Sequence, residues 1–106
     1  MNDILIPEYN EGFRLCNLQL LNETMLVALV SKSERKGELV LLDPMLVDIF
    51  DGMEISRFNK FSDSREIYMK EDKLLFIDPH VSERMIGIHN EFFLKERMSK
   101  SANQIQ

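Results

Sequence analysis

The side chains in this chain that could do chemistry are one cysteine, two histidines, and lysines and carboxylates placed at a proline bend and a short turn. Cys16 lies in a leucine-rich segment with no histidine or base next to it, so it reads as a packing residue rather than a nucleophile. His80 and His89 are nine positions apart; on one helix they would point to opposite sides, more than two turns apart. They are poor joint metal ligands unless Asp78 or Glu83 completes a set. The sequence holds no glycine-rich phosphate loop, serine elbow or metalloprotease pattern. These observations point away from an enzyme and call for no cofactor or metal. Binding chemistry is better represented. Lys70 and Lys73 flank the short turn that also holds Asp72, and as point charges they can neutralise phosphate. Their other reading is a solvated turn in which Glu71 and Asp72 balance them. Met45 offers a polarizable surface on which a base can pack, or it is simply core at a bend. Asp43 can accept from a base or ribose, or it caps the turn before Pro44.

The elements that must position these residues centre on Gly37 to Phe50, GELVLLDPMLVDIF. Val, Leu, Ile and Phe crowd both halves, and Pro44 drives Asp43 from the helical region, which predicts strand, tight bend, strand. Before it, ETMLVALVS is a strand candidate, joined through SKSERK to GELVLL in a hairpin. MLVDIF is the third strand, ended or kinked at Asp51-Gly52 before MEISRF continues. After the polar loop FNKFSDSR, EIYMK and LLFI are two short strands; three residues between them predict an antiparallel hairpin. The first 23 residues, broken by Pro7 and Gly12, read as a partly ordered cap, with LCNLQLLNE a short helix or an extended lead-in in which Leu15, Leu18 and Leu21 face the core. A C-terminal helix is predicted from Pro79 to Met98, with Asp78 as its cap and Val81, Met85, Ile88 and Phe92 on its apolar face. Residues 99 to 106 are expected to fray. The fold class that follows is mainly β: one domain over residues 1–106, with residues 24–77 forming a small, strongly bent five-stranded antiparallel barrel and residues 79–98 a C-terminal helix.

Composition sets bounds on function. A chain of 106 residues that is 44% hydrophobic fits one domain with a core of its own. No run approaches the roughly 18 apolar residues of a membrane span, the N-terminus does not resemble a signal peptide, and a lone cysteine suits a reducing compartment, so a soluble cytoplasmic protein is expected. A net charge of −5 excludes a uniformly basic, phosphate-seeking surface. The bases Lys32, Arg35, Lys36, Arg57, Lys60, Arg65, Lys70 and Lys73 nonetheless concentrate in the middle of the chain, in segments that read as turns.

Two motifs resemble those of the Sm-like fold, the family of Sm, Lsm and Hfq RNA-binding proteins. In the first, Gly37 opens a strand, Leu39 follows two positions on and Asp43 four more, with Leu46 and Val47 standing where the family has Met-Asn. In the second, Met69 ends a strand, Lys70 and Glu71 stand where the family has Arg-Gly, Asp72 and Lys73 fill the turn, and Leu74 to Ile77 supply the last strand. The resemblance covers roughly residues 24 to 77, and short divergent chains of this kind would not be out of place in a phage. An OB or SH3-like barrel is the next choice of fold. The resemblance implies a non-enzymatic protein that binds single-stranded RNA or DNA in RNA or DNA processing or chaperoning. Asp43, Met45, Lys70, Asp72 and Lys73 are then the candidate nucleic-acid-binding residues. It also implies a homo-oligomeric ring of roughly five to seven copies, closed through EIYMK and LLFI. The familiar base pocket departs from pattern, because Val47 replaces its amide and Glu71 its glycine. The alternative is a structural or adaptor ring whose C-terminal helices and acidic surface bind a protein partner.

Overall fold

A computed structural model describes residues 12–49 and 52–105, with side chains described through residue 98. Six strands form one antiparallel sheet: β1 (Arg14–Leu20), β2 (Met25–Lys32), β3 (Glu38–Asp48), β4 (Glu54–Arg57), β5 (Glu66–Lys70) and β6 (Leu74–Asp78). The helix α1 (Glu83–Ile105) follows them. The order across the sheet is β4-β3-β2-β1-β6, with β5 also paired to β3. Among the described residues no ladder joins β6 to β4 or β5, so the sheet is open.

Strand β3 organises the sheet, and it is one strand rather than two. Its whole length pairs with β2, while its other edge is shared: Glu38 to Leu42 pair with β5, and Met45 to Asp48 pair with β4. The register slips at the middle, because Leu29 lies opposite Leu42 whereas Val27 lies opposite Met45. Asp43-Pro44 is therefore a bulge, and Asp43 adopts a positive φ of 49°. The extra residue reverses which side chains face which way. Leu39 and Leu41 join a cluster with Cys16, Leu18, Leu26, Ala28 and Val30, whereas Met45 and Val47 join Leu15, Val27 and Leu29 on the opposite face. The buried residues of the first cluster all lie on strands, and Ile67, Met69 and Leu74 from β5 and β6 and Phe58 from the loop after β4 pack against them. The second is covered by Val81 and, from α1, Ile86 and Phe93.

Several expectations are corrected. Of the first 23 residues, those up to 11 lie outside the described residues, but Arg14–Leu20 is a regular strand paired on both edges, not a cap. Leu15 and Leu18 are fully buried as expected, whereas Leu21 lies in the turn after β1 and is 60% exposed. The β2–β3 hairpin is present. EIYMK and LLFI do not form a hairpin: Glu71–Lys73 make a 3-10 turn that carries the chain from β5, paired to β3, across to β6, paired to β1. A three-residue link suited to a hairpin can also turn a corner, and the two strands take separate partners. The helix begins at Glu83, not Pro79. Asp78 accepts from the His80 N–H at 2.9 Å and so makes a local turn, while the Ser82 hydroxyl accepts from the Met85 N–H at 3.2 Å and is the actual cap. Helical geometry extends past Met98 to Ile105; Gln106 lies outside the described residues. The buried stripe is also rotated by one residue, to Ile86, His89 and Phe93, with Met85, Ile88 and Phe92 only half-buried.

Replacing Ser82 with Ala removes the cap, and a loss of about 1 kcal/mol in urea denaturation is expected.

Candidate functional site

The bulge is the most heavily equipped point in the structure. A residue at positive φ turns its carbonyl out of the ladder, and a buried carbonyl needs a donor. His89 supplies it: Nε2 lies 2.9 Å from the Asp43 carbonyl oxygen and must be the protonated nitrogen, since a carbonyl can only accept. Nδ1 is buried with no hydrogen-bond partner among the described residues, and the ring packs on Phe93 at a centroid separation of 4.9 Å. Burial, opposed by the Asp43 hydrogen bond and assisted by the charge of Arg97, lowers the His89 pKa to about 4.

The Asp43 side chain is buried and clamped from the solvent side. Arg65 donates Nε to Oδ1 at 3.1 Å and Nη2 to Oδ2 at 2.9 Å, a two-pronged pair, and Arg97 of α1 places Nη1 3.6 Å from Oδ2. Beside them Arg57 bridges to Glu96 at 3.3 Å and donates to the Ser64 carbonyl at 2.6 Å. The loop between β4 and β5 leaves and returns at the bulge. The Phe58 N–H donates to the Pro44 carbonyl at 2.9 Å, and the Asp43 N–H donates to the Arg65 carbonyl at 2.7 Å. β4 and β5 are thus two halves of one edge, interrupted opposite the bulge.

The five candidate binding residues divide into two groups. Asp43 and Met45 sit at the bulge, where Met45 is fully buried and offers no face for a base to stack on, and Asp43 is engaged by arginines. Val47 is buried beside Met45 in the helix-facing cluster. Lys70, Asp72 and Lys73 are exposed at the 3-10 turn. Lys70 pairs with Glu38, five residues before Asp43, so the two groups are separated by about 16 Å of strand. The structure does not bring them together. It places another turn beside Lys70 and Lys73 instead: the Glu71 N–H donates to the Gly37 carbonyl at 2.8 Å, which sets Arg35 and Lys36 against the 3-10 turn. Gly37, at φ 77°, permits that turn to close. Acids are interleaved there: Glu34, Glu38, Glu71 and Asp72.

Cys16 is buried, and its burial pushes the thiol up to about 11, so it is not a thiolate near neutral pH. Among the described residues no group of three or more His, Cys, Asp or Glu side chains could hold a metal ion. No helix among them is long and apolar enough to cross a membrane. The chain matches no family model and no curated protein.

Sequence reading missed His89 as the bulge's donor and Arg65 as the clamp. His89 had a visible signal, since it falls between Ile86 and Phe93 at helical spacing. Arg65 had none; its partner is 22 positions away and is set by the bulge.

Acid should weaken the fold through His89. In the unfolded chain a histidine takes up a proton near 6.5, and in the fold only near 4, so the unfolded state binds more protons between those values. The stabilisation is complete above pH 6.5 and lost as pH falls toward 4, by roughly 3 kcal/mol. His89→Gln keeps an N–H donor and does not titrate. Urea denaturation at pH 7 and pH 4.5 should therefore show a smaller drop for His89→Gln than for the wild type. Arg65→Ala should cost about 1–3 kcal/mol at pH 7 by withdrawing the paired donor from a buried carboxylate.

Proposed function

We propose that this chain is a non-enzymatic Sm-like module that assembles with copies of itself into a ring and serves, as a ring, as an adaptor for a protein partner. The observation that carries the reading is strand β6. Among the described residues it pairs with β1 on one edge only, and along it Leu75, Phe76 and Ile77 are 60, 42 and 44% exposed. Three consecutive large apolar side chains on an open strand cost an isolated monomer both buried apolar area and unpaired backbone groups. The strand at the opposite end of the curled sheet, β5, pairs only with β3 among the described residues and supplies the matching edge. Pairing β5 of one copy with β6 of the next is a head-to-tail contact, which closes into a ring when the rotation divides a full turn. The resemblance to the Sm-like family implies this arrangement, with a strongly bent barrel in each copy and five to seven copies per ring. The adaptor role is preferred because Met45 is buried, Asp43 is engaged and the chain carries a net charge of −5.

A second reading, binding of single-stranded RNA or DNA, rests on the end of the molecule where Arg35, Lys36, Lys70 and Lys73 gather around two hydrogen-bonded turns. A ring would repeat that end around its axis and multiply a modest positive potential.

Light scattering should give a mass of five to seven subunits that persists on dilution, and Phe76→Glu should reduce it to one. A wild-type mass of one subunit at every concentration overturns the ring. Fluorescence anisotropy with labelled U-rich, A-rich and DNA single strands across a salt series decides the second reading. Saturable binding that weakens with salt and is lost in Lys70→Glu with Lys73→Glu would establish it, and absence of binding at low salt would exclude it.

A further inference from the structure

On the outer face of β3 and β5, Tyr68 stands directly across from Val40 in the strand register. Tyr68 is 60% exposed, and with Val40 it floors a surface groove of about 520 Å³ whose walls are Ser33, Glu34, Arg35 and Glu38. The walls are held in place. The Ser33 hydroxyl donates to Glu38 Oε1 at 2.7 Å and accepts from the Arg35 N–H at 3.2 Å, which fixes the start of the turn and the position of the Glu38 carboxylate together. At the other end of the ring the Tyr68 hydroxyl donates to Glu66 Oε1 at 3.2 Å.

An exposed aromatic ring across the strand pair from an aliphatic side chain, with carboxylates on either side, is suited to a cation on a long apolar stem. The stem covers Val40 and the ring, and the charged head meets the π face and the carboxylates. We propose that this groove receives the lysine or arginine side chains of a basic segment in a protein partner. The charge balance supports that occupant over a nucleic acid. Glu34, Glu38 and Glu66 lie near the ring against Arg35 on the wall and Lys70, which stands across from Glu38 two positions along β5, and these carboxylates, Glu66 foremost through its hydrogen bond, raise the phenol's pKa. A phosphate chain would be repelled where a guanidinium is attracted. The inference rests on the adaptor reading and names what the adaptor binds.

The probe is a fluorescein-labelled hexa-arginine peptide titrated with the full chain, with anisotropy as the readout. Tyr68→Ala should weaken binding about tenfold with no change in charge. Glu34→Gln with Glu38→Gln, both off the β5 edge, should weaken it at least as much. Glu83→Gln with Glu91→Gln, two exposed helix carboxylates, should weaken it far less. Equal losses in the two double variants, or full affinity in Tyr68→Ala, would reduce the effect to bulk charge and overturn the inference. Light scattering on each variant separates the groove from the assembly. Lost peptide binding at unchanged mass supports the groove, and an intact ring that never binds the peptide sinks the groove while leaving the ring. A labelled single-stranded DNA that binds in the same groove and competes with the peptide overturns the protein-partner assignment.

Discussion

One buried aspartate ties the sheet to its helix and its loop. Asp43 is at once the bulge residue of β3, the acceptor of a histidine from α1 through its carbonyl, and the counter-charge of arginines from α1 and from the β4–β5 loop through its carboxylate. Its positive φ is strained for a residue with a side chain, and aspartate is among the few that tolerate it. Without the extra residue, Met45 and Val47 would face the cluster of Leu39 and Leu41 and the helix would lose its apolar seat. Strain at one position is thus offset by contacts that exist only because the strain is there.

This arrangement separates the bulge, a structural centre, from the ends of the sheet, where exposed side chains lie. Every polar group drawn to Asp43 is used to secure an element, whereas β5, β6 and the two turns between β2–β3 and β5–β6 carry exposed apolar, aromatic and charged side chains.

The strands were largely legible from the sequence. EIYMK was read with its observed bounds, and β2 and β6 to within two residues, because apolar runs between polar turns are a local signal. The bend at Asp43-Pro44 was also visible, since proline constrains its neighbour. Invisible were the consequences of pairing: that the bend lies inside one strand, that β1 is a strand, and that β5 and β6 part company. Strand pairing is a long-range choice, and the LCNLQL run has helical and extended readings of nearly equal local merit. The candidate binding residues failed to converge for the same reason. Spacing places Asp43 and Lys70 in two motifs, but only register shows that Lys70 lies across from the start of β3 while Asp43 lies at its middle.

The loop from Asn59 to Ser64 has a property that follows from where its ends are fixed. Phe58 bonds to Pro44 and Arg65 to Asp43, so consecutive residues of β3 pin the two stems, and Phe61 at the far side is fully exposed. Between the pins, Arg57 and Asn59 hold the Ser64 carbonyl at the returning stem, while the tip at Phe61 stands clear of the ladder. Since each doubling of loop length costs only about 0.6 kcal/mol of closure entropy, this is where the chain can accept inserted sequence with the sheet intact. Repeated around a ring, it is a position from which a foreign segment can be displayed in several copies at once.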